Sequence, residues 1–202
     1  MKPKLVIRFA AEADIVRLAE IHKAALPGDF LPRLGLAFLK NVFFPCALQS
    51  KDAFTLVSEN QGEVEAFVVF ALDSPALTRE LKAARWPVAL ALLLAFFRDP
   101  TIAFQVLGLI RGGRTELKAA IEGFEALPEL YLIATHPERQ GCGLGGALVR
   151  EGLRLLGEKG HGCCVVKTSS ARARKFYQAL EFQDVGKEIR GNRQLWLLRR
   201  TL

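Results

Sequence analysis

The chain has 202 residues, half of them hydrophobic and 24% charged, which is the composition of a folded core and excludes a disordered chain. Its 28 Lys and Arg against 21 Asp and Glu leave a net charge of +7, which favours an anionic partner: nucleic acid, an acidic membrane face or a phosphorylated ligand. The cations are scattered, without a sustained basic run or a basic cluster interleaved with aromatics, so nucleic acid is not an expected partner.

The opening stretch Met1 to Arg8 turns charged again after three apolar residues and does not read as a secretory signal. Leu5 to Ile7 predicts a short strand. Ala11 to Leu26 predicts a helix, with Asp14 near its start and an apolar stripe of Ile15, Leu18, Ile21 and Ala25. Pro27-Gly28-Asp29 breaks it. Leu34, Phe38, Val42 and Phe43 then fall at helical spacings within Leu31 to Leu48, with an end expected around Pro45. Phe54 to Val57 and Val64 to Phe70 predict two strands joined by the polar turn Glu59-Asn60-Gln61-Gly62.

Residues 74–126 read as an apolar, helical insertion. Trp86 to Phe97 is nearly unbroken apolar sequence, and Thr101 to Ile110 is apolar again after Arg98-Asp99-Pro100. Neither run reaches the about 20 residues needed to span a bilayer, so no transmembrane segment is expected. Two buried helices or a homodimer face come first as readings; an acceptor-site wall and an interfacial membrane helix are the sharper ones.

Beyond the insertion, Leu130 to Ala134 predicts a strand, turned by His136-Pro137-Glu138. A glycine-rich stretch over Arg139 to Gly146 opens a helix that runs to about Lys159, with Leu144, Ala147, Leu148 and Leu155 on one face. Cys163 to Lys167 predicts a strand. Ser170 to Leu180 predicts a helix, with Ala173, Phe176, Tyr177 and Leu180 on one stripe, and Gln194 to Arg199 a closing strand. The cysteines at 46, 142, 163 and 164 form no CxxC pair, and Cys163 and Cys164 would point to opposite faces of their strand. With scattered histidines this argues against a metal site and a disulfide framework, and predicts reduced thiols in the cytoplasm. No repeat or linker divides the chain, which reads as one domain over 1–202.

Strand, glycine-rich turn and helix together make a phosphate-holding device. The first backbone N–H groups of a helix are unpaired and carry partial positive charge, and glycines let the backbone approach the oxygens. Four glycines in the six residues from Gly141 to Gly146 favour that reading over packing glycines alone. No GxxxxGK[ST] is present, which excludes a nucleotide P-loop. Gly141, Gly143 and Gly146 do spell GxGxxG. However, Thr135 to Gln140 separate them from the strand, and too little chain follows for a doubly wound sheet.

The same residues resemble another pattern. Gln140-x-x-Gly143-x-Gly145 is similar to the coenzyme loop of the GNAT superfamily of acyl-CoA N-acyltransferases, and LYLIATHPERQGCGLGGALV to that family's strand, turn, loop and helix. Downstream, ARARKFYQALEF resembles its A-x-x-F-Y-x-x-L-G-F segment, with Ala173, Phe176, Tyr177, Leu180 and Phe182 in register; upstream, Ile7-Arg8 with Asp14 resembles its opening. The resemblance covers 129–186 and 5–70, and nothing of 74–126. Ser170 stands where many members have Asn, Glu181 where they have Gly, and Ala66 where Gly is common.

The resemblance implies an α/β fold with a central mixed, mostly antiparallel twisted sheet flanked by helices on both faces. It implies acetyl-CoA as co-substrate and direct acetyl transfer to the primary amine of a small molecule or peptide. The backbone of Leu132, Ile133 and Ala134 would line the pantetheine arm. The main chain of Gln140, Gly141, Cys142, Gly143, Leu144, Gly145 and Gly146 would hold the pyrophosphate, and Ser170, Ala173 and Phe176 would flank the coenzyme. Tyr177 would be the general acid, with a packed core tyrosine as its alternative. Glu129 would be the base, with a solvated strand-end carboxylate as its alternative. Strand alternation puts Tyr131 on one face with Glu129 and Ile133. A non-catalytic acyl-CoA-binding or partner- or membrane-docking module on the same fold is the rival reading.

Overall fold

The computed structural model describes residues 5–83, 124–190 and 193–202. The apolar runs at 86–97 and 101–110 fall outside them, and with them most of the expected insertion. Its described parts are a helix over Ser74–Ala83 and a 3-10 turn over Phe124–Ala126. Among the described residues, no helix is long and apolar enough to cross a membrane.

Among the described residues, seven strands form a sheet: β1 (Val6–Phe9), β2 (Ala53–Asn60), β3 (Glu63–Ala71), β4 (Glu129–Thr135), β5 (Cys163–Thr168), β6 (Gln183–Arg190) and β7 (Arg193–Thr201). Their spatial order is β1-β2-β3-β4-β5-β7-β6, and only β4 and β5 run parallel. The helices are α1 (Ile15–Ala25), α2 (Phe30–Arg33), α3 (Leu36–Phe38), α4 (Phe44–Gln49), α5 (Ser74–Ala83), α6 (Leu144–Glu158) and α7 (Ala171–Gln178). On one face Leu18, Ile21, Phe43, Phe44 and Leu77 pack against Val57, Phe67 and Val69. On the other, Leu148, Leu153, Leu156 and Leu180 pack against Leu56, Val68, Phe70 and Leu130. Helices on both faces of a mixed, mostly antiparallel sheet are the arrangement that the resemblance implies.

The stretch expected as one helix over 31–48 is interrupted twice. Gly35 has φ +101°, a left-handed backbone that separates α2 from α3. A wide π turn over Leu39–Phe43 then leads into α4. Pro45 lies at the start of α4 rather than at a helix end. Proline cannot donate to the carbonyl four residues back and collides with it, and a π turn is a common way for a helix to absorb such a misfit. Strand β6 was not expected at all: most of its residues are exposed, and a bulge falls between Asp184 and Gly186, so it carries little apolar alternation. Glu181, in the position where a glycine is usual, has φ +65° and an ion pair with Arg200 at 2.7 Å.

A second bulge matters more. β4 pairs with β3 as Val69 to Leu132 and then Phe70 to Leu130, so Tyr131 is the extra residue. The bulge breaks simple alternation. Tyr131 and Leu132 both pack toward the α1 face, while Leu130 and Ile133 pack toward α6 and α7. Tyr131 and Ile133 therefore lie on opposite faces, contrary to the alternation argument.

Two features of the core give measurable expectations. Gly152 on α6 sits against Phe70: a Cβ there would fall 2.0 Å from Phe70 Cε2. The ring is fully buried and stacked on Phe54 at 5.1 Å, so it has little room to swing away. Gly152→Ala is expected to destabilise by about 1–3 kcal/mol in urea unfolding, against a helix-propensity gain of at most about 1. His22 is 1% exposed among Phe43, Phe44 and Phe67, and its Nδ1 has no hydrogen-bond partner. Burial lowers its pKa from 6.5 to about 4. Because the unfolded chain binds that proton more readily, the neutral ring contributes stability that is fully present above pH 6.5 and is lost as pH falls through about 4. Unfolding free energies measured across that window should drop by up to about 3 kcal/mol more in the parent chain than in His22→Leu.

Candidate active site

The site is built where β4 and β5 part. The two strands are bridged at Glu129 and Val165, with Val165 N–H donating to the Pro128 carbonyl at 2.8 Å. Beyond that point they diverge. Among the described residues, the β4–β5 pairing does not continue past Glu129 and Val165, and a cleft of about 1280 Å³ opens beside β4. Two strands that part beside a cavity leave an incomplete ladder, which an extended ligand can complete.

The glycine turn forms the mouth of this cleft. Gly141 and Gly143 have φ of +81° and +82°, which a side chain would strain, and Gly143 caps α6. A Cβ on Gly145 would stand 3.5 Å from both Ile133 Cδ1 and Phe176 Cζ, so this glycine keeps the passage between β4 and α7 open. The first N–H groups of α6, which has 15 residues, face this opening without helical partners. The turn itself is pinned from β3. Glu65 accepts from the Arg139 guanidinium, with Nε at 2.7 Å, and from Asn60 at 3.1 Å, while its carbonyl accepts from His136 N–H at 2.9 Å. Burial alone would raise the Glu65 carboxyl, but the hydrogen bonds from Arg139 and Asn60 outweigh it and hold it below the ordinary range. Gln140 bonds back to the Thr135 carbonyl at 3.3 Å and accepts from Arg172 at 3.4 Å.

The structure brings the expected site residues together, with one exception. Leu132, Ile133, Ala134, Gln140, Gly141, Gly143, Leu144, Gly145, Gly146, Ser170, Ala173, Phe176, Tyr177 and Glu129 all line the cleft. Cys142 is exposed and lies outside the lining. Ser170 also caps α7, accepting from Ala173 N–H at 3.2 Å.

Tyr177 is 5% exposed and belongs to the core cluster beneath α6, and it also lines the cleft. Burial first, and then the neighbouring Cys164 and Glu129, push its phenol well above the ordinary value of 10. Glu129 is not a solvated strand end. It is 9% exposed, accepts from Ser74 Oγ at 2.6 Å and has Lys167 Nζ at 3.4 Å. Lys167 in turn lies over the Phe124 ring, 5.5 Å from its centre. Ser74, Lys167 and Glu65 were missed from the sequence. Ser74 and Lys167 lie 55 and 38 residues from Glu129, and Glu65 lies 74 from Arg139, so no local motif joins them.

The bulge sorts the cleft into two sides. Leu130, Ile133, Phe176 and Tyr177 belong with α6 and α7. Tyr131, with Ala25 of α1, Leu26 just past it, and Phe30 and Leu31 of α2, forms the opposite wall. Arg79 and Lys82 of α5 stand exposed at that wall's rim.

Comparison with known proteins agrees with this geometry. A family profile described as "Acetyltransferase (GNAT) domain" matches residues 101–184. The chain is 36% identical over 69 residues to a mycothiol acetyltransferase of Acidothermus cellulolyticus, a match covering 33% of this chain and 21% of that protein. The chain thus spans about a fifth of the curated relative it matches. In structure it is similar to the ribosomal-protein-alanine N-acetyltransferase of Brucella melitensis, at TM-score 0.61 and 17% identity over 98% of this chain and 99% of that one. It is likewise similar to the PaiA N-acetyltransferase of Thermoplasma acidophilum in complex with coenzyme A, at TM-score 0.60 and 12% identity over 98% and 99%. At these identities the two structures speak for the fold, and the profile for residues 101–184. Over residues 101–184 the chain is thus similar to the GNAT acetyltransferases.

Proposed function

We propose that residues 1–202 form an N-acetyltransferase domain that transfers acetyl directly from acetyl-CoA to a primary amine. The observation that carries this reading is the split between β4 and β5 with the glycine-started helix α6 at its mouth. The residues fit the coenzyme: β4 runs along the cleft past the point where β5 leaves it, and left-handed glycines and the first N–H groups of α6 supply donors for a pyrophosphate. Acetyl-CoA supplies an acyl group already activated as a thioester. The chain's four cysteines are free thiols, which supports placing it in the cytoplasm.

The remaining work falls to the chain's own residues. Gly141, Gly143, Leu144, Gly145 and Gly146 would hold the pyrophosphate, Leu132 to Ala134 would hold the arm through main-chain bonds, and Ala173 and Phe176 would wall it in. An attacking amine must first shed a proton, and Glu129, which lines the cleft, would receive it. Tyr177 remains a neutral donor because its phenol is pushed upward. A thiol titrates near about 8.5, so complete transfer from such a phenol to a thiolate is uphill. Tyr177 therefore acts as a hydrogen-bond donor to the departing sulfur, which takes its proton in the end from the ammonium formed on the new amide nitrogen. The acceptor wall of Leu26, Phe30, Leu31 and Tyr131, with Arg79 and Lys82 at its rim, suits an amine on a partly apolar molecule that carries an anionic group.

Calorimetric titration tests the coenzyme reading. Acetyl-CoA is expected to bind saturably and NADPH not at all, whereas NADPH binding alone would return the glycine turn to a dinucleotide site. With an amine found by screening, Tyr177→Phe should lower kcat about 10²-fold while leaving the acetyl-CoA Kd within about threefold. Equal losses in both would assign Tyr177 to packing, and coenzyme binding without turnover on any amine would leave a binding module.

A further inference from the structure

The geometry points to Lys167 as an acetyl acceptor in its own right: the chain acetylates this lysine when it holds acetyl-CoA and no external amine. The inference rests on the coenzyme reading above.

Lys167 stands on β5 two residues past Val165, the residue bridged to Glu129. Strand alternation gives it the face of Val165 and of Phe124, opposite Cys164 and Val166, which pack beneath α6 and α7. Its amine is therefore on the side of the sheet from which an acceptor approaches, not on the coenzyme's side. It is also held there. The side chain is 15% exposed, with Nζ 3.4 Å from Glu129 Oε2 and 5.5 Å from the centre of the Phe124 ring. Lys82 also lines the cleft but stands exposed at its rim.

What an acceptor amine requires is already assembled around Nζ. Glu129 is within reach as a proton acceptor and is itself oriented by Ser74 Oγ at 2.6 Å. Lys167 gives one proton to Glu129, and the freed lone pair forms a bond from Nζ to the acetyl carbonyl carbon. The carbon–sulfur bond breaks, and the second proton leaves the nitrogen for the departing sulfur. The products are acetyl-lysine and the free thiol, with no redox change. The modification removes the positive charge beside Glu129, so the carboxylate keeps Ser74 and loses its ion-pair partner.

The test needs no knowledge of the acceptor. The full chain is incubated with acetyl-CoA alone and followed by intact mass and peptide mapping, alongside heat-unfolded chain and Lys167→Arg, which keeps a cation beside Glu129 but not the amine. The expected result is one acetyl group per chain, on Lys167, at a rate that saturates with acetyl-CoA, and none at that position in either control. Acetyl groups spread over exposed lysines such as Lys82 and Lys159, in simple proportion to acetyl-CoA, would overturn the inference. So would an unmodified Lys167 in a chain that binds acetyl-CoA by calorimetry. Failure to bind acetyl-CoA at all would overturn the coenzyme reading and this inference together, which distinguishes the two failures.

Discussion

One bridge between two parallel strands governs this molecule. Glu129 and Val165 pair, and beyond them β4 and β5 separate. A buried strand edge with unpaired amides is costly unless something satisfies it, because each orphaned backbone group forfeits about 1–3 kcal/mol. The chain places the gap beside an open cleft instead of in its core. It also closes both ends of the opening with its own chemistry. A carboxylate, a hydroxyl and an ammonium meet at the narrow end, and the N-terminus of α6 stands at the wide end. The cavity is thus polar where bonds are to be made and apolar along its walls, which is how a binding site fixes orientation without losing burial.

The bulge at Tyr131 is the second constraint, and it follows from the first. A regular strand would send alternate side chains to opposite faces all the way along β4. The extra residue puts Tyr131 and Leu132 on the same side and shifts the phase of all that follows. In this way one short strand presents one set of side chains to the α1 side and another to the α6 side, with the gap between them. The clamp on Glu65, which holds Arg139 and the His136 amide, fixes where the strand ends and the glycine turn begins.

Much of this was legible in the residues. The strand over Leu130 to Ala134, the glycine turn and the helix after it announce themselves through apolar spacing and glycine density. So does the stripe of Ala173, Phe176, Tyr177 and Leu180. What was not legible is either a phase slip or a long-range meeting. The Tyr131 bulge leaves no mark on the hydrophobic pattern, since Tyr, Leu and Ile follow one another whichever face each takes. For Glu129 the residues left a base and a solvated strand-end carboxylate both open, because Ser74 and Lys167 reach it only through the sheet. The stretch from Leu31 to Leu48 kept helical spacing across a glycine and a π turn, because periodicity reports which side is buried and not whether the backbone is continuous. Strand β6 escaped notice for the opposite reason: a strand with little to bury shows little pattern.

That same strand has a consequence for how copies of the chain meet. A sheet with open edges is a template on which further strands can assemble, and proteins that expose such edges risk fibres. Among the described residues one edge is β1, only four residues long, with Arg8 bonded sideways to Asp14 and Glu59. The other is β6, kinked by its bulge near Val185 and studded with Lys187 and Glu188. Short length, a kink and alternating charge are the means by which sheets discourage growth in register. The seven strands are therefore self-limiting, and association between copies is steered away from edge-to-edge pairing toward contacts made by side chains.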